Sequence, residues 1–600
     1  MCGLVASFSY DVDSPRISMD DLDHFRDALA HRGPDAAGSW MSPDGDVGLG
    51  HRRLTIIDLT ENGNQPLGIE DGRYRIVFNG EIYNYQDLRV ELEKSGVIFR
   101  TRTDTEVILQ LYATGGVENL SRLRGMYAFA IWDSLRQGIL LARDGFGIKP
   151  LYYSDIDGRL AVSSEFRALH KFLGKNLPSD PMGHLGYLFL GWVPEPVTPV
   201  KGINILSAGT WLWRDKNGAS QGTLFDAVEL TVNATNCPIS DSSISRESVL
   251  QDALDGSVRD HLVADVPISL FLSSGVDSNL ISMMASRHAN YGLQTITLGA
   301  DLFRNTENDE VGEAANAAQE LGLPHESHWL SYDDFENNLE AFLNSMDMPT
   351  IDGLNTYLIS SFAAKCGAKV VLSGLGGDEM FGGYPSFNQI PKITSIGRSF
   401  SAAPFLGKKI RKLIAPVISC CTSPKYASLL EMSGCYTDAY LLRRALFLPW
   451  ELMGKAPELE ISDAWERMTS ELVPQEVNGG SLSPHSRISL LESTLYMRGQ
   501  LLRDADWAGM AHGLEIRTPL VDSVLFSEIL DIQVGSQPYD KKEIGSLFGG
   551  AIAWAANRKK TGFGLPIHEW INQHSGISDR GHRGWAGFVY KEWCQRNGVS

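Results

Sequence analysis

The sequence predicts an α+β sandwich of stacked antiparallel sheets, followed by an α/β parallel-sheet unit with a largely helical C-terminal part. Three observations carry this. Short β-type runs bounded by turn residues crowd the first 215 positions, and strand-like and helix-like runs alternate beyond position 245. A length of 600 residues with 43% apolar composition exceeds what one hydrophobic core organises. The expected division is 1–215, a connection at 216–245, and 246–600. The connection is placed by the Asn-, Ser- and Thr-rich stretch 233–243.

In the first unit, Tyr74-Arg75-Ile76-Val77-Phe78 runs into Asn79-Gly80, and 128–132 runs into Asp133, as strands ending in turns. Leu22, Phe25 and Leu29 recur at helical spacing. Thr103-Asp104-Thr105-Glu106 has the form of a capping box before Val107, Ile108 and Leu111. In the second unit, 266–272 reads as a buried strand feeding a Ser/Gly loop and a helix over 280–287. A strand at 295–298 then leads to a helix bearing Val311, Ala314, Ala315, Ala318 and Leu321, and 369–372 adds another strand. Strands alternating with helices imply a parallel sheet. Residues 385–540 read as mostly helical.

A formal charge of −20 disfavours a nucleic-acid surface, and the basic group Lys408, Lys409, Arg411 and Lys412 reads as a solvated helix face. The seven cysteines are scattered without C-x-x-C spacing, which argues against a disulfide framework or structural zinc and for a reducing cytoplasm. No secretory leader or apolar run of about 18 residues addresses the chain to a membrane. The histidines of His325-Glu326-Ser327-His328 are three apart, whereas a zinc helix needs them four apart, so this reads as a polar loop or helix end.

Chemistry enters at three places. Removal of Met1 would leave Cys2 with a thiol and a free α-amine, so that one residue serves as nucleophile and base. Alone, Cys2 is merely the second residue of the chain. The loop Ser273-Ser274-Gly275-Val276-Asp277-Ser278 sits between a buried strand and a helix start, where free backbone N–H groups and the helix dipole suit a phosphate; it is equally an ordinary turn with a serine cap. It matches neither the Walker loop nor the dinucleotide loop. The turn Ser373-Gly374-Leu375-Gly376-Gly377-Asp378-Glu379 also follows a strand. In a parallel sheet Asp277 and Asp378 would emerge at one edge and could share Mg2+, the alternative being that Asp378 and Glu379 are first-turn helix acids.

Together these residues resemble the glutamine-hydrolysing asparagine synthetases, an N-terminal Ntn-type glutaminase fused to a C-terminal ATP-pyrophosphatase-type synthetase. The resemblance runs through Cys2, His31-Arg32-Gly33-Pro34-Asp35, Gly50-His51-Arg52-Arg53-Leu54, 78–84, Arg143-Asp144, 149–153, 273–278, 373–384, Arg503-Asp504-Ala505-Asp506, 515–519 and Lys560-Thr561-Gly562-Phe563. It implies that Cys2 attacks the glutamine amide while Asn79 and the Gly80 N–H hold the oxyanion. Arg53 would clamp the α-carboxylate, with Asp104 and the region of Glu81 receiving the α-ammonium. Ser273 to Ser278, with Ser373 and Gly374, would cradle ATP and departing pyrophosphate; Asp277 and Asp378 would hold Mg2+. Lys560 would offset charge at phosphorus, its neighbours Arg558 and Lys559 being solvated. The implied substrates are glutamine, ATP and a carboxylate acceptor, most simply aspartate, with ammonia passing between the sites inside the protein. A homodimer is the expected assembly, although these residues do not fix it.

Two departures stand out. Ser274 replaces the first glycine of the usual S-G-G-x-D-S loop, which requires a backbone angle compatible with a Cβ. Leu375 occupies a position where well-known members carry a glutamate that assists ammonia attack. Leucine neither accepts a proton nor carries charge, so either Glu379 or Asp352 serves, or the acceptor is not aspartate but, for example, a sugar acid or peptide; a non-catalytic regulatory relative is the remaining alternative, against which Cys2, Asn79, Asp277, Asp378 and Lys560 are all retained.

Overall fold

The computed structural model describes residues 2–174, 177–236, 245–288, 292–306, 308–397, 404–454, 457–535, 538–558, 565–575 and 582–599. Two six-stranded sheets and a five-stranded sheet organise these residues. In the first sheet, Gly3–Ser9 is central and pairs antiparallel with Val47–Arg53 and Arg159–Ser163. In the second, Tyr74–Ile82 pairs with Gly125–Asp133, which pairs with Gly138–Arg143.

Alternation along Gly3–Ser9 explains the layering. Leu4, Ala6 and Phe8 point between the sheets onto Val77, Ala130 and Trp132. Val5 points outward onto Leu22, Phe25 and Leu29, the apolar stripe of helix Met19–Asp27. With both faces covered, every residue of the strand is buried. At about 1.5–3 kcal/mol per large apolar side chain removed from water, this packing fixes the strand register and therefore where Cys2 lies.

Asn79-Gly80, expected to end a strand, lies inside one: Asn79 opposes Ala128 and Gly80 opposes Tyr127. Gly80 has φ 150°, and a Cβ there would stand 2.0 Å from the Met126 carbonyl oxygen, so only glycine fits. The capping box at 103–106 is half formed. Thr103 accepts the Glu106 N–H at 3.3 Å, while the Glu106 carboxylate turns to the N–H groups of Arg100 and Thr101.

The expected connection at 216–245 is structured where described: Gly218–Thr223 completes the second sheet against Thr210–Asp215, and Ala227–Asn236 is a helix. Beyond it, the five parallel strands run in the order His325–Leu330, Gln294–Ala300, Ile268–Phe271, Val370–Leu372, Glu515–Arg517. The chain builds outward on one side of Ile268–Phe271 and then returns to add strands on the other. That makes the gap between Ile268–Phe271 and Val370–Leu372 a topological switch point, where open α/β sheets bind ligands at the strand C-termini.

The segment 325–328 corrects its sequence reading. It forms the edge strand His325–Leu330, exposing Glu326 and His328, and alternation of polar residues on an edge was mistaken for a loop. Helices fill most of 385–534, and Lys408, Lys409 and Lys412 lie exposed along Pro404–Cys421. Among the described residues, no helix is long and apolar enough to cross a membrane.

Two candidate reaction centres

Cys2 lies at the entry of the central strand, 8% exposed, and its thiol faces the Leu54 carbonyl at 3.9 Å. Burial pushes the thiol pKa up. The Cys2 backbone N–H donates to Asn79 Oδ1 at 2.9 Å, which orients the amide and leaves Asn79 Nδ2 buried with no hydrogen-bond partner. An unmade buried donor beside a nucleophile costs roughly 1–3 kcal/mol unless something arrives to accept from it.

Gly80 contributes through strand geometry. Tyr127 exchanges both backbone groups with Asp144 on its other side, donating to the Asp144 carboxylate at 3.2 Å and accepting its N–H at 2.8 Å. The Gly80–Tyr127 pair is therefore a non-hydrogen-bonded one, and the Gly80 N–H points to the open edge of the strand. Asn79 Nδ2 and the Gly80 N–H are the donors an oxyanion would need.

Arg53 is engaged differently from a free clamp. Its terminal nitrogens donate to the carbonyls of Ile57, Asp58 and Thr60 and to Asn64 Oδ1 at 2.6–3.1 Å, so the guanidinium also shapes the loop over the site. Asp104 accepts the Ile82 N–H at 3.0 Å, and burial lifts its pKa to about 6. Glu81 has one oxygen without a hydrogen-bond partner and stands 3.7 Å from Arg517 of the parallel sheet. Burial, then Glu515 and Asp104, raise its pKa.

The second centre forms where the two glycine-rich turns meet. Ser278 Oγ accepts the Ser273 N–H at 3.1 Å, and Gly275 N–H donates to Ser273 Oγ at 3.1 Å, holding the first turn closed. Ser274 is not among the described non-glycine residues of positive φ, so the serine sits there without backbone strain. Val276 and Asp277 open the helix Val276–His288. In the second turn, a Cβ on Gly374 would stand 2.9 Å from the Asp277 Cβ, and one on Gly377 2.2 Å from Asp277 Oδ1. The glycines are there because Asp277 fills the space.

The turns line a cavity of about 540 Å3, within the size range of nucleotide and cofactor sites, together with Ile359, Ile516 and Arg558. Arg558, read from the sequence as solvated, is part of this wall. Lys560 lies outside the described residues. Across the cavity, Lys541 at the start of helix Lys541–Phe548 bonds Asp277 and lies 2.9 Å from Asp378 Oδ1. Among the described residues no group of three or more His, Cys, Asp or Glu is arranged to hold a metal. Asp277 and Asp378 do converge on the Lys541 ammonium, and oxygen donors of this kind suit Mg2+.

Leu375 faces the same cavity and packs beside Ile516. Neither candidate replacement for the missing acid is among the described residues lining it. Glu379, on the other side of the turn, borders a separate apolar cavity with Phe146 and Met497; it accepts the Tyr384 O–H at 2.8 Å and keeps one buried oxygen without a hydrogen-bond partner. Burial, then Asp378, raises its pKa to about 8. Asp352 accepts the Tyr496 O–H at 3.1 Å at the head of helix Gly353–Lys365.

Between the centres lies a buried charge network whose residues, Glu165 apart, belong to the recognised motifs but carried no role in the sequence reading. Arg32 donates to the Cys2 carbonyl at 3.1 Å and pairs with Glu165 at 3.3 Å and Asp506 at 2.8 Å. Arg517 pairs with Glu515 at 2.6 Å and donates to the carbonyls of His261 and Val263. Burial would raise the Glu515 pKa, but the surrounding positive charge, Arg517 and Lys149 included, holds it down to about 2. The signal for this network was arginine and acid recurring in HRGPD, RDAD and EIR; which acid meets which arginine needed the fold.

With this geometry in place, the similarities to known proteins are informative. The glutamine amidotransferase domain family matches residues 1–225, and the asparagine synthase family matches residues 249–580. Asparagine synthetase [glutamine-hydrolyzing] 1 of Bacillus subtilis is 32% identical over 587 residues, covering 95% of this chain and 88% of that protein. Asparagine synthetase B [glutamine-hydrolyzing] of Escherichia coli is 30% identical over 69% of each chain. Amidase chry2 of Gibberella zeae is 32% identical over 64% of this chain and 60% of that protein. A thiol set against unsatisfied amide donors, a nucleotide-sized cavity at a sheet switch point, and these two family matches in order place the chain in the glutamine-hydrolysing asparagine synthetase family of ATP-dependent ligases.

Proposed function

We propose that this protein hydrolyses glutamine at Cys2 and uses the released ammonia to amidate a carboxylate that it has activated with ATP. The observation that carries the reading is the presence of two clusters in one chain: Cys2 beside two donors, Asn79 Nδ2 and the Gly80 N–H, and Asp277 and Asp378 together lining one cavity. The thiolate of Cys2 would add to the glutamine amide carbon, with the two donors holding the oxygen as it gains charge, each worth about 3 kcal/mol. Arg53 would hold the α-carboxylate by exchanging one of its loop carbonyls for it, and Asp104 would receive the α-ammonium, with Glu81 close by.

In the second cavity the acceptor carboxylate would displace pyrophosphate from the α-phosphorus of ATP, giving an acyl-adenylate. Ammonia would then displace AMP from the acyl carbon. The 273–278 turn would bind the pyrophosphate through its N–H groups together with Ser373 and Gly374, and Asp277 and Asp378 would hold Mg2+. When bound, Mg2+ supplies charge neutralisation on the phosphate oxygens. Lys560 is retained as the cation for the transition state.

Aspartate is the leading acceptor, giving asparagine. A second reading, a non-aspartate carboxylate such as a sugar acid or peptide, is favoured by Leu375: the wall it forms with Ile359 and Ile516 is apolar, and neither Glu379 nor Asp352 borders it. One assay separates them. With glutamine and MgATP supplied, AMP and pyrophosphate should appear in step only with the true acceptor; failure of every carboxylate, aspartate included, to release AMP would refute the ligase half. On this reading the chain keeps a glutaminase unit at 1–215, a connection at 216–245 and a synthetase unit at 246–600, in a cytoplasmic protein for which a homodimer is the expected assembly.

A further inference from the structure

Lys541 stands where the two acidic turns meet, and the surrounding backbone is shaped to let it. Its ammonium bonds both carboxylate oxygens of Asp277 and lies 2.9 Å from Asp378 Oδ1, with the three side chains only 16–18% exposed. A Cβ on Gly377 would stand 2.2 Å from Asp277 Oδ1, and one on Gly383 would stand 1.9 Å from Asp378 Oδ1 and 2.9 Å from Lys541 Cε. Three segments far apart in sequence therefore leave one space, in which the Lys541 ammonium lies between the two carboxylates.

The lysine backbone is fixed and its stem is not. Asp540 caps the helix by accepting from Lys542 and Glu543, while the Glu543 carboxylate accepts the Asp540 N–H, so the first turn is held from both ends. Beyond the Cα, four methylenes allow the ammonium to swing several ångströms without moving that turn. Two carboxylates facing one cavity repel unless a cation lies between them, and the oxygens that Lys541 holds are those a divalent cation would take.

We propose that Lys541 is a resident counter-cation of the metal site: it holds the Asp277 and Asp378 pair closed to free divalent metal, and on entry of a metal-bound nucleotide its ammonium turns onto the phosphate oxygens. The inference rests on reading Asp277 and Asp378 as the metal carboxylates. A free divalent cation must expel the ammonium from between the two carboxylates, whereas a nucleotide brings phosphate oxygens that can receive it. Metal and nucleotide would thus enter together, and the phosphate site would be assembled from residues 264 positions apart in the case of Asp277 and Lys541.

Mn2+ is the probe, followed by electron paramagnetic resonance on the full-length protein with and without α,β-methylene-ATP. Wild-type protein should show no site tighter than about 1 mM for Mn2+ alone and a clear site once the analogue is present. Lys541→Met should bind Mn2+ alone about tenfold more tightly than wild type and bind the analogue about tenfold more weakly, and Lys541→Arg should restore the exclusion of free metal. A tight nucleotide-free Mn2+ site in wild type overturns the proposal, and it does so even if the methionine variant fails to fold. Equal Mn2+ affinity in wild type and Lys541→Met overturns it as well. If Asp277→Asn binds Mn2+ with the analogue as well as wild type does, it is the assignment of the metal carboxylates that falls, and the lysine proposal with it.

Discussion

The two candidate centres differ in their electrostatics. Beside the Cys2 thiol itself the fold sets neutral dipoles within a surround that includes the charged Arg53, Glu81 and Arg32: a side-chain amide with a spare donor and a glycine N–H turned out of its sheet, set among side chains fixed on both faces of a central strand. Around Asp277 it supplies full charges on loops and helix starts, two carboxylates and an ammonium bordering an open cavity. A developing oxyanion is best held by donors that cannot relax, and strands give that rigidity. A nucleotide brings several negative charges and must be admitted and released, and turns with movable cations allow that. The contrast teaches that the burial of a site follows the charge of what it handles.

The sharpest way to break this comparison is to remove the thiol. Cys2→Ala should lower glutamine-dependent product formation more than 1,000-fold while leaving synthesis from added ammonium within about twofold, since only the first centre is touched. Loss of both activities would mean that the centres are not separable. Next in size is Arg517→Met, which leaves Glu515 and Glu81 buried without their arginine. It should cost about 3–5 kcal/mol of stability, read as a lowered midpoint in urea. An unchanged midpoint would show that the network carries no strain when broken.

Asn79→Ala should reduce glutaminase kcat about 100- to 1,000-fold with little change in the glutamine KM, because the spare amide donor is useful only once charge develops. A KM effect alone would make Asn79 a ground-state ligand. The smallest effect concerns Glu379. A carboxyl whose folded pKa is about 8 against an ordinary 4.5 binds its extra proton in the folded state, so its contribution to stability is greatest below about 4.5 and declines as pH rises towards 8. Glu379→Gln should therefore gain on wild type by a few kcal/mol at most between pH 5 and pH 8. A pH-independent difference would place Glu379 in a solvated or paired setting.

How much of this the sequence disclosed depends on distance along the chain. The 273–278 turn is legible because strand, small residues and helix start are consecutive; even the Ser274 question, whether a Cβ is tolerated, could be framed in advance and needed only one backbone angle. Asn79-Gly80 was legible as important but not as a strand interior, because the dipeptide favours turns locally and pairing with 125–133 overrides it. Lys541 was illegible: Asp540-Lys541-Lys542-Glu543 has the composition of any exposed, well-capped helix start, and nothing within it points to Asp277. Exclusion of Glu379 and Asp352 from the cavity likewise required the fold, since adjacent residues on a tight turn such as Asp378 and Glu379 face different spaces.

The short strand Glu515–Arg517 has a consequence for anyone who would recombine these halves. Its first and third side chains reach into the salt-bridged seam near the thiol, and its middle one, Ile516, forms part of the wall of the cavity that Asp277 and Asp378 line. A frame shift of one position there would invert both surfaces together. Grafting this glutaminase onto a foreign synthetase would thus require transplanting that tripeptide along with it, so the practical unit of exchange crosses the boundary that sequence families draw.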